Sequence, residues 1–352
     1  MTEQQADKIF QIVEDDIYDL VKTEIGFKHL ALKKENDNFY YLEFSYNKEK
    51  LNETEAKNLK DKINSYFLTV NTVDTLLIKN IELFTTEQRE LIEIDESFKS
   101  IPKRELESFL KIDAENIVAS EAYEFYSNHK KDKQKNDAKV ILKAGDTINN
   151  DGESGTLGAI IKLDKISDYF IVSNHHVIAH SGKCTGSVIK DSLQNGIATL
   201  YWGIFNKTHD IALAKVCNSK NIIVESGTPI HNFGKIIKPS LDMKDCASWT
   251  NSREKSGGMV YSSRAIVRIK SNLFKDQILL KDLYLKNGNS GSIIVSKNGS
   301  DTPNVIGICV GGNLSSKIDI ANKLSNLFHR EITPSNTNNC LQIHSVNFKS
   351  FH

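Results

Sequence analysis

The sequence predicts a mostly β protein: an antiparallel β-barrel or sandwich in the second half of the chain, preceded by a small mixed α+β domain. Three observations predict it. After about residue 138, short runs rich in β-branched and aromatic residues recur between clusters of Gly, Asn, Asp and Ser. Before residue 127, apolar residues recur with helical spacing in some stretches and with two-residue spacing in others. Between these regions, Ser127 to Asp137 (SNHKKDKQKND) has no apolar side chain and four lysines, so it can bury almost nothing and reads as an exposed linker. A length of 352 residues also exceeds what one core usually takes. The expected organisation is an N-terminal domain over 1–126, a linker over 127–137 and a β-rich domain over 138–352.

From Ile9, the residues Val13, Ile17, Leu20 and Val21 follow at helical spacing, which predicts an amphipathic helix running to about Gly26. Tyr40, Leu42, Phe44 and Tyr46 alternate along a half-buried strand. A second helix is expected from Asn52, where Glu55 completes a capping box and Ala56, Leu59 and Ile63 form the buried stripe. Val73 to Leu83 reads as a strand and Thr85 to about Tyr126 as short helices. In the β-rich half, strands are expected at Gly155–Leu163, Tyr169–Ser173, Ile197–Trp202, Ile211–Val216, Val260–Ile269, Ile278–Tyr284, Ser292–Ser296 and Val305–Val310. One late helix is expected around Ile318 to His329.

Lys plus Arg and Asp plus Glu each total 45, so the chain as a whole is neither basic nor acidic. The neutral total hides opposite halves: 20 basic and 29 acidic residues up to 137, then 25 and 16, or −9 and +9. No apolar stretch approaches the roughly 18 residues of a membrane span, and MTEQQADKIF has the form of no leader, so a cytoplasmic protein without membrane contact is expected. The five cysteines are odd in number and contain no Cys-x-x-Cys pair, which argues against a disulfide framework and a zinc ribbon. His176 and His180 stand four apart, but the glutamate of a HExxH helix is missing and no metal is expected. Neither phosphate-binding glycine loops nor clustered aromatic and basic residues are found, so no cofactor and no nucleic-acid partner are expected.

Three segments of the β-rich half carry chemistry. FIVSNHHVIA (170–179) delivers a histidine from a strand onto a turn, HDIALAKV (209–216) places Asp210 at the head of an apolar strand, and NGNSGSII (287–294) sets Ser290 between glycines. Acyl transfer needs an alcohol activated by a base, a carboxylate that orients the base, and backbone N–H donors at the developing oxyanion. A side chain at Gly288 or Gly291 would crowd a substrate carbonyl or forbid the turn that aims the N–H groups of Gly288 and Ser290.

On these motifs, together with VIGICVGG (305–312), the segment from roughly Lys139 to Phe328 resembles the chymotrypsin-like (trypsin-like) serine peptidases, in the bacterial branch of HtrA/Deg peptidases and glutamyl endopeptidases. The resemblance implies a chymotrypsin-like double β-barrel with the active site between the barrels, and a serine endopeptidase acting on proteins or peptides. It assigns His176 as general base, Asp210 as its orienting carboxylate, Ser290 as nucleophile, and the N–H groups of Gly288 and Ser290 as the oxyanion hole. Asn289 stands where HtrA-type members also have Asn. Tyr284, Cys309, Val310 and Gly311 fall on positions that bind substrate. Cys309 replaces the histidine that glutamyl endopeptidases use against an acidic side chain, so strict Glu specificity is disfavoured; a neutral Tyr284 suggests a small or apolar preference. Residues 1–126 carry no recognised motif and are expected to gate the peptidase or bind a protein partner, as in effectors of bacterial signalling or defence. The alternative is an inactive, peptide-binding relative.

Overall fold

The computed structural model describes residues 1–36, 39–69, 77–83, 140–150, 153–163, 168–179, 187–217, 222–224, 235–250, 253–269, 271–297, 303–313, 317–325, 327 and 341–343. The expected linker and the expected short helices of 85–126 lie outside them. Helix α1 (Glu3–Val21) begins earlier and ends sooner than the apolar pattern implied. Its start is set by a reciprocal cap: the Thr2 hydroxyl accepts from Gln5 N–H at 3.2 Å, and the Gln5 side chain accepts from Thr2 N–H at 2.7 Å. Its end is closed by the Arg268 guanidinium, which donates to the carbonyls of Val21 and Lys22. Strands β1 (Phe27–Asn36) and β2 (Phe39–Asn47) pair antiparallel. Helix α2 (Glu53–Thr69) has the expected Asn52–Glu55 box, with bonds of 2.9 and 3.0 Å, and β3 (Leu77–Leu83) runs parallel to β2.

Strand β1 escaped the sequence reading because both its faces are buried. Leu30 and Leu32 face the core under α1 and α2, while Ala31 joins a cluster with Ala265 and Phe274. The polar residues interleaved with them are paired rather than solvated: His29 Nε2 lies 2.9 Å from Glu43 Oε1, and the Lys33 ammonium donates to the Tyr261 carbonyl at 2.7 Å. A strand covered on two sides shows no polar alternation.

The β-rich half contributes β4 (Val140–Leu142), β5 (Thr147–Asn150), β6 (Glu153–Thr156), β7 (Ala159–Leu163), β8 (Tyr169–Ser173), a single helical turn α3 (His175–Ile178), β9 (Val188–Asp191), β10 (Gly196–Phe205), β11 (Asp210–Val216) and β12 (Ile222–Val224). The run expected as one strand over Gly155–Leu163 is broken at Leu157–Gly158, where the chain turns between β6 and β7. After these come β13 (Cys246–Thr250), β14 (Arg253–Ile269), β15 (Asn272–Lys281), β16 (Ile293–Ser296), β17 (Asn304–Asn313), β18 (Ile318–Lys323) and β19 (Leu341–Ile343).

Two curled sheets result. The first has the order β19-β7-β8-β11-β10-β9-β5-β6. The second closes on itself, because β13 pairs with β16 on one side and with the first half of β14 on the other, completing β14-β13-β16-β17-β18-β15 as a barrel. This is a mostly β architecture of two curled sheets, the second of them closed as a barrel. The far end of β14 then leaves the barrel and pairs with β1 (His29 opposite Val267, Ala31 opposite Ala265), so β1, β2 and β3 extend the second sheet. Between the barrels lies an apolar layer that includes Phe170, Trp202 and Leu213 from the first sheet and Trp249, Ile293 and Val295 from the second. Each large side chain so buried contributes about 1.5–3 kcal/mol.

The helix expected at Ile318–His329 is a correction: Ile318–Lys323 is β18, paired with β15 through Ile320 opposite Leu279 and with β17 through Ala321 opposite Cys309. Ile318, Ala321, Leu324 and Leu327 satisfy a helical spacing, but two strands with unpaired edges flank this segment, and ladder hydrogen bonds to both outweigh local propensity.

Candidate active site

Strand β8 ends at Ser173, and Asn174 caps the turn that carries His175 and His176. Strands β8 and β11 pair antiparallel with Ser173 opposite Ala212, a register that carries Asp210 past the strand end to meet this turn. The meeting is twofold. Asp210 Oδ1 accepts the His176 backbone N–H at 3.0 Å, and Oδ2 lies 2.5 Å from His176 Nδ1. Asp210 is wholly buried, which by itself would raise its carboxyl; the charge and hydrogen bonds of His176, with His175 beside it, outweigh burial and hold it below the ordinary value.

Two asparagines missed at the sequence level hold the Asp210 backbone. Asn174 Nδ2 donates to the Asp210 carbonyl and Asn322 Oδ1 accepts the Asp210 N–H, both at 2.7 Å. Asn322 Nδ2 donates in turn to Gln277 Oε1 at 2.5 Å, and Gln277 Nε2 donates to the carbonyls of Thr208 and Lys275. The Asn174 signal was present in SNHH; Asn322 and Gln277 sit in strands remote in sequence and gave none.

Ser290 lies on the loop between β15 and β16. Gly288 and Gly291 have φ of +84° and +90°, the left-handed region that disfavours a side chain. Within the loop, the N–H groups of Asn289, Gly291 and Ser292 donate to the carbonyls of Lys286, Cys309 and Asn289. Those of Gly288 and Ser290 donate to nothing among the described residues. Thr156, from the first barrel, fastens the loop from outside: its hydroxyl donates to the Gly288 carbonyl at 2.7 Å and its N–H to the Ser290 carbonyl at 2.8 Å.

The seam between the barrels is closed by glycine. A methyl on Gly155 would lie 2.5 Å from a Val177 methyl and 2.8 Å from the Ser290 carbonyl oxygen, so both surround one point, and the turn bearing His176 abuts the serine loop. A methyl on Gly158 would meet the Gly291 carbonyl at 2.2 Å. The Ser290 hydroxyl is directed to the Val310 carbonyl at 3.3 Å and makes no hydrogen bond to His176 in this arrangement.

Of the expected substrate-binding residues, Val310 thus touches the serine, and Gly311 follows it on β17. Cys309 is buried, with Sγ 3.9 Å from the Gly311 carbonyl, and burial pushes its thiol well above the ordinary range. Tyr284 is 42% exposed, with φ +54° and the Lys317 ammonium 5.5 Å from its ring centroid. Behind it, and missed at the sequence level, is Asp319. Its carboxylate accepts the N–H groups of Leu285 and Tyr284, yet Oδ2 is buried without a partner. Burial pushes this carboxyl up to about 7. His180 of the discarded zinc reading lies outside the described residues, and no cluster of metal-ligating side chains occurs among those described. No described helix is long and apolar enough to cross a membrane.

No protein-family model and no curated protein matches the chain. Among solved structures it is similar to protease A of Thermobifida fusca (12% identity, TM-score 0.40, covering 53% of this chain and 92% of that one). It is similar also to a glutamic acid specific serine protease (13%, 0.43, 53% and 94%) and to chymotrypsin of Cellulomonas bogoriensis (12%, 0.38, 53% and 92%). These three are proteases, one of them a serine protease and one a chymotrypsin.

Proposed function

We propose that the chain is a serine endopeptidase acting through Ser290, His176 and Asp210. The observation that carries this reading is the buried His176–Asp210 pair, joined by two hydrogen bonds, abutting a serine loop in which the N–H groups of Gly288 and Ser290 are spent on no acceptor. In the reaction, Ser290 Oγ leaves the Val310 carbonyl, gives its proton to His176 Nε2 and forms a bond to the scissile carbonyl carbon. Negative charge on the carbonyl oxygen is met by the Gly288 and Ser290 N–H groups, while Asp210 keeps the Nδ1–H of the imidazolium directed at itself. Collapse expels the amine, which takes the proton from His176; water then repeats the sequence and releases the acid. The substrate is a protein or peptide, with Val310, Gly311 and Tyr284 along its path. The N-terminal region governs the peptidase, consistent with an effector in bacterial signalling or defence.

One observation favours a second reading, a peptide-binding module without turnover: the Ser290 hydroxyl is bonded to Val310 rather than to His176. A fluorophosphonate probe separates the two. Native chain labelled at Ser290, with labelling lost after heating and in S290A, supports the peptidase; an unlabelled native chain supports the binding module.

A further inference from the structure

A buried ionic cluster connects helix α1 to the residues that hold Asp210. Arg264, on β14, is its centre: Nε lies 2.5 Å from Asp7 Oδ1, and Nη1 lies 2.9 Å from Glu14 Oε2 and 3.0 Å from Asp276 Oδ1. Lys323 reaches the same Asp276 oxygen, and the second oxygen of Glu14 accepts the Asp276 backbone N–H at 3.0 Å. Arg264 and Glu14 side chains are 8% and 4% exposed, whereas Asp7 is 36% exposed, beside a cavity of about 330 Å³.

Two strand residues of this cluster adjoin residues of the Asp210 support. Asp276 precedes Gln277, Lys323 follows Asn322, and buried His209, within electrostatic reach of Asp276, precedes Asp210 itself. Asp276 also has φ +55°, a conformation a non-glycine residue keeps only when its surroundings impose it; here Glu14 takes its N–H, while Arg264 and Lys323 take its carboxylate. An apolar helix face would dock as firmly in several neighbouring registers. A guanidinium held between two helix carboxylates and one strand carboxylate specifies a single one.

We propose that α1 is a positioning element of the active site: Glu14 and Asp7 fix Arg264, Asp276 and Lys323, and through Gln277 and Asn322 they fix the backbone of Asp210 against His176. A signal that lifts α1 off the sheet would thereby switch the site. This rests on the assignment of His176 and Asp210 as catalytic, and Glu14 acts through them rather than on substrate.

The test uses the full chain carrying E14Q, the milder D7N, and D19N as a control on the same helix, where exposed Asp19 pairs with exposed Lys22 outside the cluster. The first readout is the low-field proton resonance of the His176 Nδ1–H···Asp210 hydrogen bond, which requires no turnover. E14Q is expected to shift or broaden it, D7N to do so less, and D19N to leave it unchanged. The second is peptide hydrolysis: E14Q lowers kcat about tenfold with KM within about twofold, and its effect combined with N322A is less than the product of the two singly. Folded E14Q and D7N chains with the wild-type resonance overturn the proposal, as do E14Q and N322A effects that multiply. Should E14Q not fold, D7N decides on the resonance. A wild-type chain that hydrolyses nothing defeats the peptidase assignment instead, and the resonance still decides the coupling.

Discussion

Asp210, the proposed orienting carboxylate, is held by more than its partner. Its side chain makes two bonds to one histidine, and its backbone is gripped by Asn174 and Asn322 from opposite barrels. D210N keeps the shape but offers His176 Nδ1 an amide in place of a carboxylate; hydrolysis is expected to fall about 10⁴-fold. S290A is expected to lose about four to six orders of magnitude with its thermal transition unchanged, and undiminished cleavage by that variant refutes the assignment. Asp319 supplies a test by pH. Its folded-state pKa lies above its unfolded one, so its contribution to stability is present below the ordinary carboxylate range and is lost as pH rises through about 7. D319N removes that loss, so its stability relative to wild type, read by denaturation, should be more favourable at pH 8 than at pH 5 by an amount on the order of 3 kcal/mol. Equal differences at the two pH values would show that the carboxyl is not buried. Cys309, buried with a raised thiol, is expected to resist alkylation in the native chain and to react once it is unfolded. His176, Asp210 and Ser290 were legible because their chemistry demands particular residue types in local motifs. Thr156, Gln277, Asn322 and Asp319 were not, because each acts through a residue distant in sequence.

At the scale of elements, local signals served where a segment carries an unbroken strand-forming run or a capping pair. The α2 cap, strand β2 and strand β8 lie where alternation and capping residues placed them. They failed where buried polar residues or a misleading spacing mask the strand: β1 carries buried His29 and Lys33 among its apolar residues, and β18 carries a helical spacing overridden by the two strands beside it. The seam between barrels makes the reverse point, since its glycines are ordinary in sequence and indispensable in place. Gly158→Ala would drive a methyl into the Gly291 carbonyl, next to the serine loop, where backbone cannot give way cheaply. A loss of about 1–3 kcal/mol in stability together with a fall in kcat is expected, read by denaturation and hydrolysis in parallel. Wild-type values for both would mean that the two barrels are not packed at this point.

Over the whole molecule, the opposite charges of the two halves do meet. Asp7, Glu14 and Asp15 of α1 face Arg264, Lys207 and Lys275, while Lys34 and Asp242 pair in the opposite sense. The join is not electrostatic alone: β1 is hydrogen-bonded to β14, and Ile266 and Leu273 belong to the core beneath α1 and α2. A chain of residues 138–352 would expose that apolar face and an open strand edge, so it is expected to bind hydrophobic dye and to melt lower than the full chain, instead of being simply released from inhibition. Matching melting curves for the two chains would refute this. The sequence by itself determined the β-rich architecture of the second half, two helices before it with the cap of the second, and the three motifs of the candidate site, because periodicity, capping and nucleophile chemistry are local properties. Only the tertiary structure decided that the N-terminal strands extend the second barrel's sheet, that α1 reaches the support of Asp210, and that Ser290 rests on Val310. Those outcomes depend on which strand edges remain unpaired and which buried charges find partners, and both are settled when the sheets close.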